Sequence, residues 1–588
     1  MSVVLITGCS SGLGRELALT ALSKGLRVIA TARRPETLVS LQEQGAKVLR
    51  LDVTAPMDEL KPFASEAISQ FGHIDCLINN AGYVQAGALE ENSPEESRAQ
   101  FDTNFFGVLG VTNALLPHFR ARRHGTVINI SSHAAVLSVV GAGMYCASKA
   151  ALDAISSVWA LELAPFNIRC VSIQLGALPT AAAQFGSLQV AAAQIEDYTA
   201  PHDFVVEFNK ASGTERGDTR IAAAKIIELV SADAALPMRL PLGDDAYRDA
   251  KAFYDMHRQA LETWKAVSTG TDAPGRDEAT APTFMVKGIN QGPTKPHMDC
   301  DNQKKTTIKS NTTVILITGC STGLGRELAL TALSKGLCVI ATARRLETLV
   351  SLQEQGAKVL RLDVTAPMDE LKSFASEAIS QFGHIDCLIN NAGFLHGGAL
   401  EENSPEDSRT QFDTNFFGVL NVTNALLPHF RARRHGTVVN ISSQAAMVDF
   451  AGAGIYCASK AALDSISGVW ARELAPFGIR CVSIQLGSFS TSVAQSGSLQ
   501  VAAAQIEGYT GSHDFVAEFN KASGKERGDP RIAAAKIIEL VSANSALPTR
   551  LPLGDDAYAN AKAFYETQLQ AVETWKAVST GTDHDAVR

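Results

Sequence analysis

Tyr145 and Lys149 stand four residues apart in Tyr145-Cys146-Ala147-Ser148-Lys149, at the start of a helical pattern, so the phenol and the ammonium share a face. A phenol, with an ordinary pKa of about 10, is a poor acid near neutrality. A neighbouring ammonium favours the phenolate, which makes Tyr145 a usable general acid/base. Ser132 follows an apolar run before this helix and can hydrogen-bond a substrate oxygen; Asn104 lies on a preceding helical segment. Asn415, Ser443, Tyr456 and Lys460 repeat the set at a constant offset of 311 residues. Alone, a Tyr/Lys pair is usually a solvated helix face. The residues around it argue for chemistry instead.

The first of these is a glycine turn. Gly8, Ser10, Ser11, Gly12, Leu13 and Gly14 follow a short apolar run and open a helix, and Gly319, Ser321, Thr322, Gly323, Leu324 and Gly325 repeat them. Backbone without Cβ lets a pyrophosphate approach, and a helix N-terminus favours its charge. The strand–turn–helix setting makes this more than a flexible turn. Asp52-Val53 and Asp363-Val364 close a later strand, where a carboxylate meets an adenine. Asn79, Ala81 and Gly82, with Asn390, Ala392 and Gly393, close another and have the small or amide side chains of a cofactor channel. An NAD site places an acid at the end of the second strand. Here Ala32 is followed by Arg33-Arg34, and Ala343 by Arg344-Arg345. Two guanidiniums suit a 2′-phosphate. Cations there also oppose the helix dipole, which favours a functional reason for them. NADP(H) is therefore expected over NAD(H).

Elements must hold these groups in place. In the first copy, apolar runs read as strands at Val3–Thr7, Arg27–Thr31, Lys47–Val53, Asp75–Asn79, Gly125–Ser131, Arg169–Leu175 and Leu236–Pro241. Helical patterns fill the gaps, the longest at Phe101–Arg120 and Met144–Ala164. Short strands alternating with helices imply an α/β doubly wound parallel sheet, apolar on both faces. The stretch from Ala177 to about Gly217 breaks the alternation and carries Phe185, Tyr198, Phe204 and Phe208. It reads either as a substrate lid or as a packing helix pair.

The whole pattern then returns without insertion or deletion, with roughly four in five positions identical, so the chain is a whole-domain duplication. The expected domains are residues 1–272 and 312–588. Residues 273–311, rich in Pro, Gly, Lys and Thr, read as a flexible linker long enough for the halves to pair as an internal pseudo-dimer. Two tandem genes merged in a gene model would give the same sequence.

Composition narrows the classes. A net charge of −9 argues against nucleic acid or an anionic membrane as partner. No apolar run is long enough to span a bilayer, and the N-terminus lacks the marks of a signal peptide, so a cytoplasmic protein is expected. Eight of the ten cysteines fall into repeat pairs without C-x-x-C spacing, and read as small buried hydrophobes in a reducing compartment. No histidine spacing suggests a metal.

Together, TGCSSGLG, LDVT, NNAG, Asn104, the Asn129-Ile130-Ser131-Ser132 stretch and YCASK resemble the short-chain dehydrogenase/reductase family over nearly all of each copy. The resemblance implies two tandem Rossmann-like domains and catalytic tetrads at Asn104, Ser132, Tyr145 and Lys149 and at Asn415, Ser443, Tyr456 and Lys460. It implies that Tyr145 exchanges a proton with a carbonyl or alcohol oxygen steadied by Ser132. Lys149 would bind the nicotinamide ribose and Asn104 a relay water. Thr180 and Thr491 match the threonine that touches the carboxamide. Each tail (Gly217-Asp218, then Leu240-Pro241-Leu242-Gly243) is similar to the branch of 17β-hydroxysteroid and retinol dehydrogenases. Leu175-Gly176 and Leu486-Gly487 depart from the family's usual Pro-Gly.

The expected function is NADP(H)-dependent interconversion of a small-molecule carbonyl and alcohol at two sites, by a chain that pairs internally or forms a homo-oligomer. The alternatives are an NADP(H)-sensing module or one active plus one regulatory half; compact domain length and T-G-x-x-x-G-x-G spacing argue against a sugar-nucleotide epimerase or dehydratase. Differences between copies cluster beside the expected substrate position: His133 and Val136–Val140, Tyr83–Ala86 and Ala177–Pro179 all change, which predicts unlike substrate preferences.

Overall fold

The computed structural model describes residues 2–178, 188–211, 215–231, 235–273, 313–490, 499–522, 524–543 and 545–583. Thr180, Thr491, Phe185 and the expected linker beyond residue 273 lie outside the described residues.

In the first half the chain runs β1 (Val3–Ile6), α1 (Gly12–Ser23), β2 (Arg27–Ala32), α2 (Val39–Glu43), β3 (Lys47–Arg50), α3 (Met57–Ser69), β4 (Cys76–Asn79), β5 (Val84–Ala86), α4 (Pro94–Phe101), α5 (Gly107–Arg122), β6 (Gly125–Ser132), α6 (Gly143–Glu162), β7 (Ile168–Leu175), β8 (Leu188–Val190), α7 (Thr199–Ala211), α8 (Thr219–Ser231), β9 (Arg239–Leu242) and α9 (Asp244–Ser268). Seven strands form one parallel sheet in the order β3-β2-β1-β4-β6-β7-β9. The second half builds the same sheet from Val314–Ile317 to Arg550–Leu553. These are the two tandem Rossmann-like α/β sheets expected. Strands covered on both faces read as unbroken apolar runs, and β1 and β4 are fully buried.

The order reverses between β1 and β4, which opens the crevice where such sheets take ligands. Three details differ from the sequence reading. Strand β3 stops at Arg50, because Asp52 turns back to accept hydrogen bonds from the Thr54 amide (3.0 Å) and hydroxyl (2.8 Å), an Asx turn. The single helix expected over Phe101–Arg120 begins earlier, at a Ser93/Glu96 capping box, and passes through a π-helical turn at Asp102–Phe106. The short strands β5 and β8 pair with each other in a separate parallel ladder.

The halves are interlocked. Helix α6 is buried nearly all round, because one face meets its own sheet and the other meets its counterpart Gly454–Glu473. Gly143 lies against Val469 and Gly454 against Val158, so the two helices run antiparallel. Beside them Phe101 meets Phe416 at 4.7 Å and Phe105 meets Phe412 at 4.7 Å. Arg120 makes two 2.9 Å bonds to Glu401, and Arg431 answers with bonds of 2.9 and 3.1 Å to Glu90. The C-termini also cross: Trp575 and Val578 pack on the core of the first half, and Trp264 and Val267 on that of the second.

Candidate active site

The glycine turn sits between β1 and α1 with the geometry its residues dictate. Gly8 and Gly12 have φ of +71° and +54°, where a side chain is strained. A Cβ on Gly14 would come within 2.3 Å of the Gly8 carbonyl oxygen, so only glycine lets the helix approach the strand this closely. Ser11 occupies the N-cap of α1 without a side-chain cap bond, which leaves the first helical N–H groups directed at the crevice. The turn is pinned from β4. Thr7 Oγ1 accepts from the amides of Asn80 (2.9 Å) and Ala81 (3.0 Å), and Asn80 Nδ2 donates to the carbonyls of Thr7 (2.9 Å) and Gly8 (3.1 Å). Thr318 and Asn391 do the same in the second half.

A cleft of about 1160 Å³ runs along this edge, bounded by Gly8, Ser10, Ser11, Gly12, Leu13, Gly14, Arg33, Arg34, Asp52, Val53, Ala81 and Gly82 at one end and by Ser132, Tyr145 and Lys149 at the other. Its counterpart of about 660 Å³ is lined by Gly319, Ser321, Thr322, Gly323, Leu324, Arg344, Arg345, Asp363, Val364, Ala392, Gly393, Ser443, Tyr456 and Lys460. Arg33 and Arg34 are exposed and make no ion pair with a described carboxylate, and the same holds for Arg344 and Arg345. Uncapped helical amides and a turn that only glycine allows suit the phosphates of a dinucleotide, and Arg33 and Arg34 add positive charge to the same cleft.

The Asn79 side chain faces elsewhere. It is buried beneath the sheet, where Nδ2 donates to Thr112 Oγ1 (3.0 Å) and Asn129 Oδ1 (2.8 Å); Asn390 repeats this with Thr423 and Asn440. Strand alternation turns Asn79 inward and Asn80 toward the turn. Asn80 and Thr7 are therefore the side chains that sequence reasoning passed over. Their signal was the period-two alternation at the end of β4.

At the other end, Lys149 is buried and its Nζ donates to the Ile130 carbonyl at 2.8 Å, 5.6 Å from the Tyr145 ring centre. Lys460 donates to Ile441 at 2.9 Å. Burial pulls Lys149 and Lys460 down to about 8 against a smaller pull upward from Asp153 and Asp464. Burial pushes the phenols of Tyr145 and Tyr456 up to about 12, and hydrogen bonds with Ser132 and Ser443 oppose this. Desolvation is the largest influence on both groups, and among the contributions to Tyr145 it is the Ser132 hydrogen bond that lowers the phenol.

Asn104 sits in the π-helical turn, fully buried. Its Oδ1 accepts from the Tyr83 amide (3.1 Å), and its Nδ2 donates to the Tyr83 carbonyl (3.0 Å) and Ser148 Oγ (3.2 Å). Asn415 repeats this with Phe394 and Ser459. It holds the loop after β4 rather than lining the cleft.

The Ala177–Gly217 segment divides between its two readings. Phe204 and Phe208 line the first cleft, whereas Tyr198 packs against Phe477 of the other half. Val139 in the first cleft becomes Phe450 in the second, stacked on Phe515 at 5.7 Å. His133, bonded to Asp249 at 3.2 Å, becomes Gln444, which accepts from Asn560 Nδ2 at 2.7 Å. Of the divergent positions, His133 and Val139 with Gln444 and Phe450 fall on cleft walls, whereas Ser138 and Asp449 meet the opposite half.

The sequence profile described as short chain dehydrogenase matches residues 2–189 and again 313–502. An uncharacterized oxidoreductase of Bacillus subtilis, YusZ, is 33% identical over 254 residues, covering 42% of this chain and 90% of the relative. A 3-ketodihydrosphingosine reductase of Bacteroides thetaiotaomicron is 37% identical over 196 residues, covering 33% and 71%. Among solved structures, the N-domain of a bacterial malonyl-CoA reductase with NADP has the same fold over 95% of this chain and 98% of that one, with a TM-score of 0.59 and 15% identity. No described helix is long and apolar enough to cross a membrane.

Proposed function

The chain belongs to the short-chain dehydrogenase family, and from that premise we propose that each half interconverts a carbonyl and an alcohol with NADP(H), so that one polypeptide carries two sites. We read residues 1–272 and 312–588 as the two domains and 273–311 as their tether; the described thiols, unpaired and mostly buried, suit a reducing compartment such as the cytoplasm.

One observation carries the proposal. In each half the Tyr/Ser/Lys group and the uncapped helix behind the glycine turn face one continuous cleft. The N–H groups of α1 hold the pyrophosphate. Arg33 and Arg34 would pair with the 2′-phosphate. The nicotinamide, when bound, supplies or takes the hydride. Ser132 holds the substrate oxygen, and Tyr145 gives it a proton in reduction or takes one in oxidation. Lys149, with its ammonium buried beside the phenol, favours the phenolate once that proton has left. Asn104 keeps the loop between cofactor and substrate in place. The unlike walls, with His133 and Val139 against Gln444 and Phe450, support different substrates for the two halves.

The test is NADPH and NADH oxidation against a carbonyl panel. Tyr145→Phe and Tyr456→Phe are each expected to remove part of the activity, and the double variant to lose about 10²–10⁴-fold. A parent that binds NADPH yet turns over nothing across a wide panel would favour a sensing module.

A further inference from the structure

Glu162 and Glu473 are ionisable residues buried outside the lining of either cleft, at 4% and 3% exposure, and the chemistry above gives them no task. Each ends one of the paired central helices, and each reaches into the other half. Glu473 Oε1 accepts from the Gly141 amide (3.0 Å) and Oε2 from the Leu89 amide (3.0 Å). Glu162 Oε1 accepts from the Gly452 amide (2.9 Å) and Ser512 Oγ (3.1 Å), and Oε2 from the Leu400 amide (3.0 Å).

The receiving segments front the active sites. Gly141 lies between Val139 and Ala142, which line the first cleft, and precedes Tyr145 by one helical turn. Gly452 lies between Phe450 and Ala453 in the second. Gly141 is further tied to Gly87 and Gly452 to Gly398, so one carboxylate fixes two loops. The same loops receive other residues from across the interface. Arg472 donates to the Ser138 carbonyl at 3.0 Å, and Arg239 pairs with Asp449 at 3.2 Å.

We propose that Glu473 and Glu162 are positioning residues acting across the interface, each clamping the loop in front of the other half's catalytic tyrosine, so that neither site is complete without the opposite half. The donors around each group favour the carboxylate, against the burial that pushes both up to about 7. Both oxygens accept from backbone N–H groups, and a buried amide left without its acceptor costs more than the bond is worth in water. A glutamine offers one acceptor and sets its NH₂ against the second N–H. The proposal rests on the oxidoreductase reading for its catalytic consequence only.

The experiment uses the full chain. Hydrogen exchange is followed on peptides covering Leu137–Gly143 and Val448–Gly454, which differ in sequence and so report separately. Glu473→Gln is expected to speed exchange in the first segment about tenfold or more and leave the second unchanged, and Glu162→Gln to do the reverse. NADPH oxidation is measured alongside. With the second site silenced by Tyr456→Phe, Glu473→Gln lowers kcat about tenfold and Glu162→Gln does not; with Tyr145→Phe the dependence inverts. A shared loss of exchange protection, or none, overturns the clamp. A parent without turnover counts against the oxidoreductase reading alone, since exchange is read without substrate. Should the glutamine variants fail to fold, Glu473→Asp and Glu162→Asp keep the charge but fall short of spanning both loops, and the same crossed pattern is expected.

Discussion

Burial shifts the lysine and the tyrosine of each cleft in opposite directions, and both for the same reason. Removing Lys149 from water disfavours its ammonium, which brings it down to about 8, while removing Tyr145 disfavours its phenolate, which pushes it up to about 12. The sign for activity follows. The ammonium is lost as pH rises through about 8, the phenol remains protonated, and its stabilising charge is gone. kcat/KM for NADPH, which reports groups of the free enzyme, is expected to fall above about pH 8, and in Lys149→Arg/Lys460→Arg to keep its plateau to higher pH. A fall at the same pH in both proteins would assign the limb to another group. The sequence made Tyr145, Lys149 and Ser132 legible because their spacing is local. It did not show that the lysine would bond Ile130 or that Asn79 would turn inward, since both depend on how a strand meets a helix from elsewhere in the chain.

Elements place these residues through close approaches with little tolerance. Strand β1 and helix α1 meet at Gly14, where a Cβ would press on the Gly8 carbonyl oxygen at 2.3 Å and on Asn80 Nδ2 at 2.4 Å. Gly14→Ala must therefore push α1 off the turn that its amides serve. The expected cost is about 1–3 kcal/mol of stability for overpacking, with NADPH binding in the first half weakened and that of the second half untouched. Fluorescence titration of NADPH against Gly14→Ala and Gly325→Ala, each in the full chain, checks this, and two unchanged sites would refute it. The strands of the main sheet were legible as apolar runs. The β5–β8 ladder was not, because three-residue strands carry no periodicity and gain their partner only when the chain returns after β7. The break in the helix over residues 102–106 was equally silent, since a π-helical turn preserves helical composition.

At the scale of the molecule, the repeat showed two domains and the possibility of their pairing, but not how they are joined. Contacts that differ between copies carry that information. Ser138 Oγ sits where a Cβ on Gly468 would come within 2.2 Å, and the first half has Ser157 at the position matching Gly468. Two first halves paired with each other would set Ser138 against Ser157. Two second halves would lose the serine that hydrogen-bonds Asp449 beside Arg239. Only the mixed pair keeps both contacts, together with Arg472 on the Ser138 carbonyl, whose counterpart at position 161 is a leucine. The interface has therefore become complementary rather than self-complementary, unlike that of a symmetric dimer. Because Trp575 finishes the first core and Trp264 the second, each half also needs the other to close its own packing. Residues 1–272 and 312–588 produced together as separate, differently tagged chains are expected to be recovered as a one-to-one complex that oxidises NADPH with the parent's substrates. Either chain produced alone should be poorly soluble or readily proteolysed. Equal recovery of like and unlike pairs would mean that the substitutions at 138, 157, 449 and 468 carry no pairing preference.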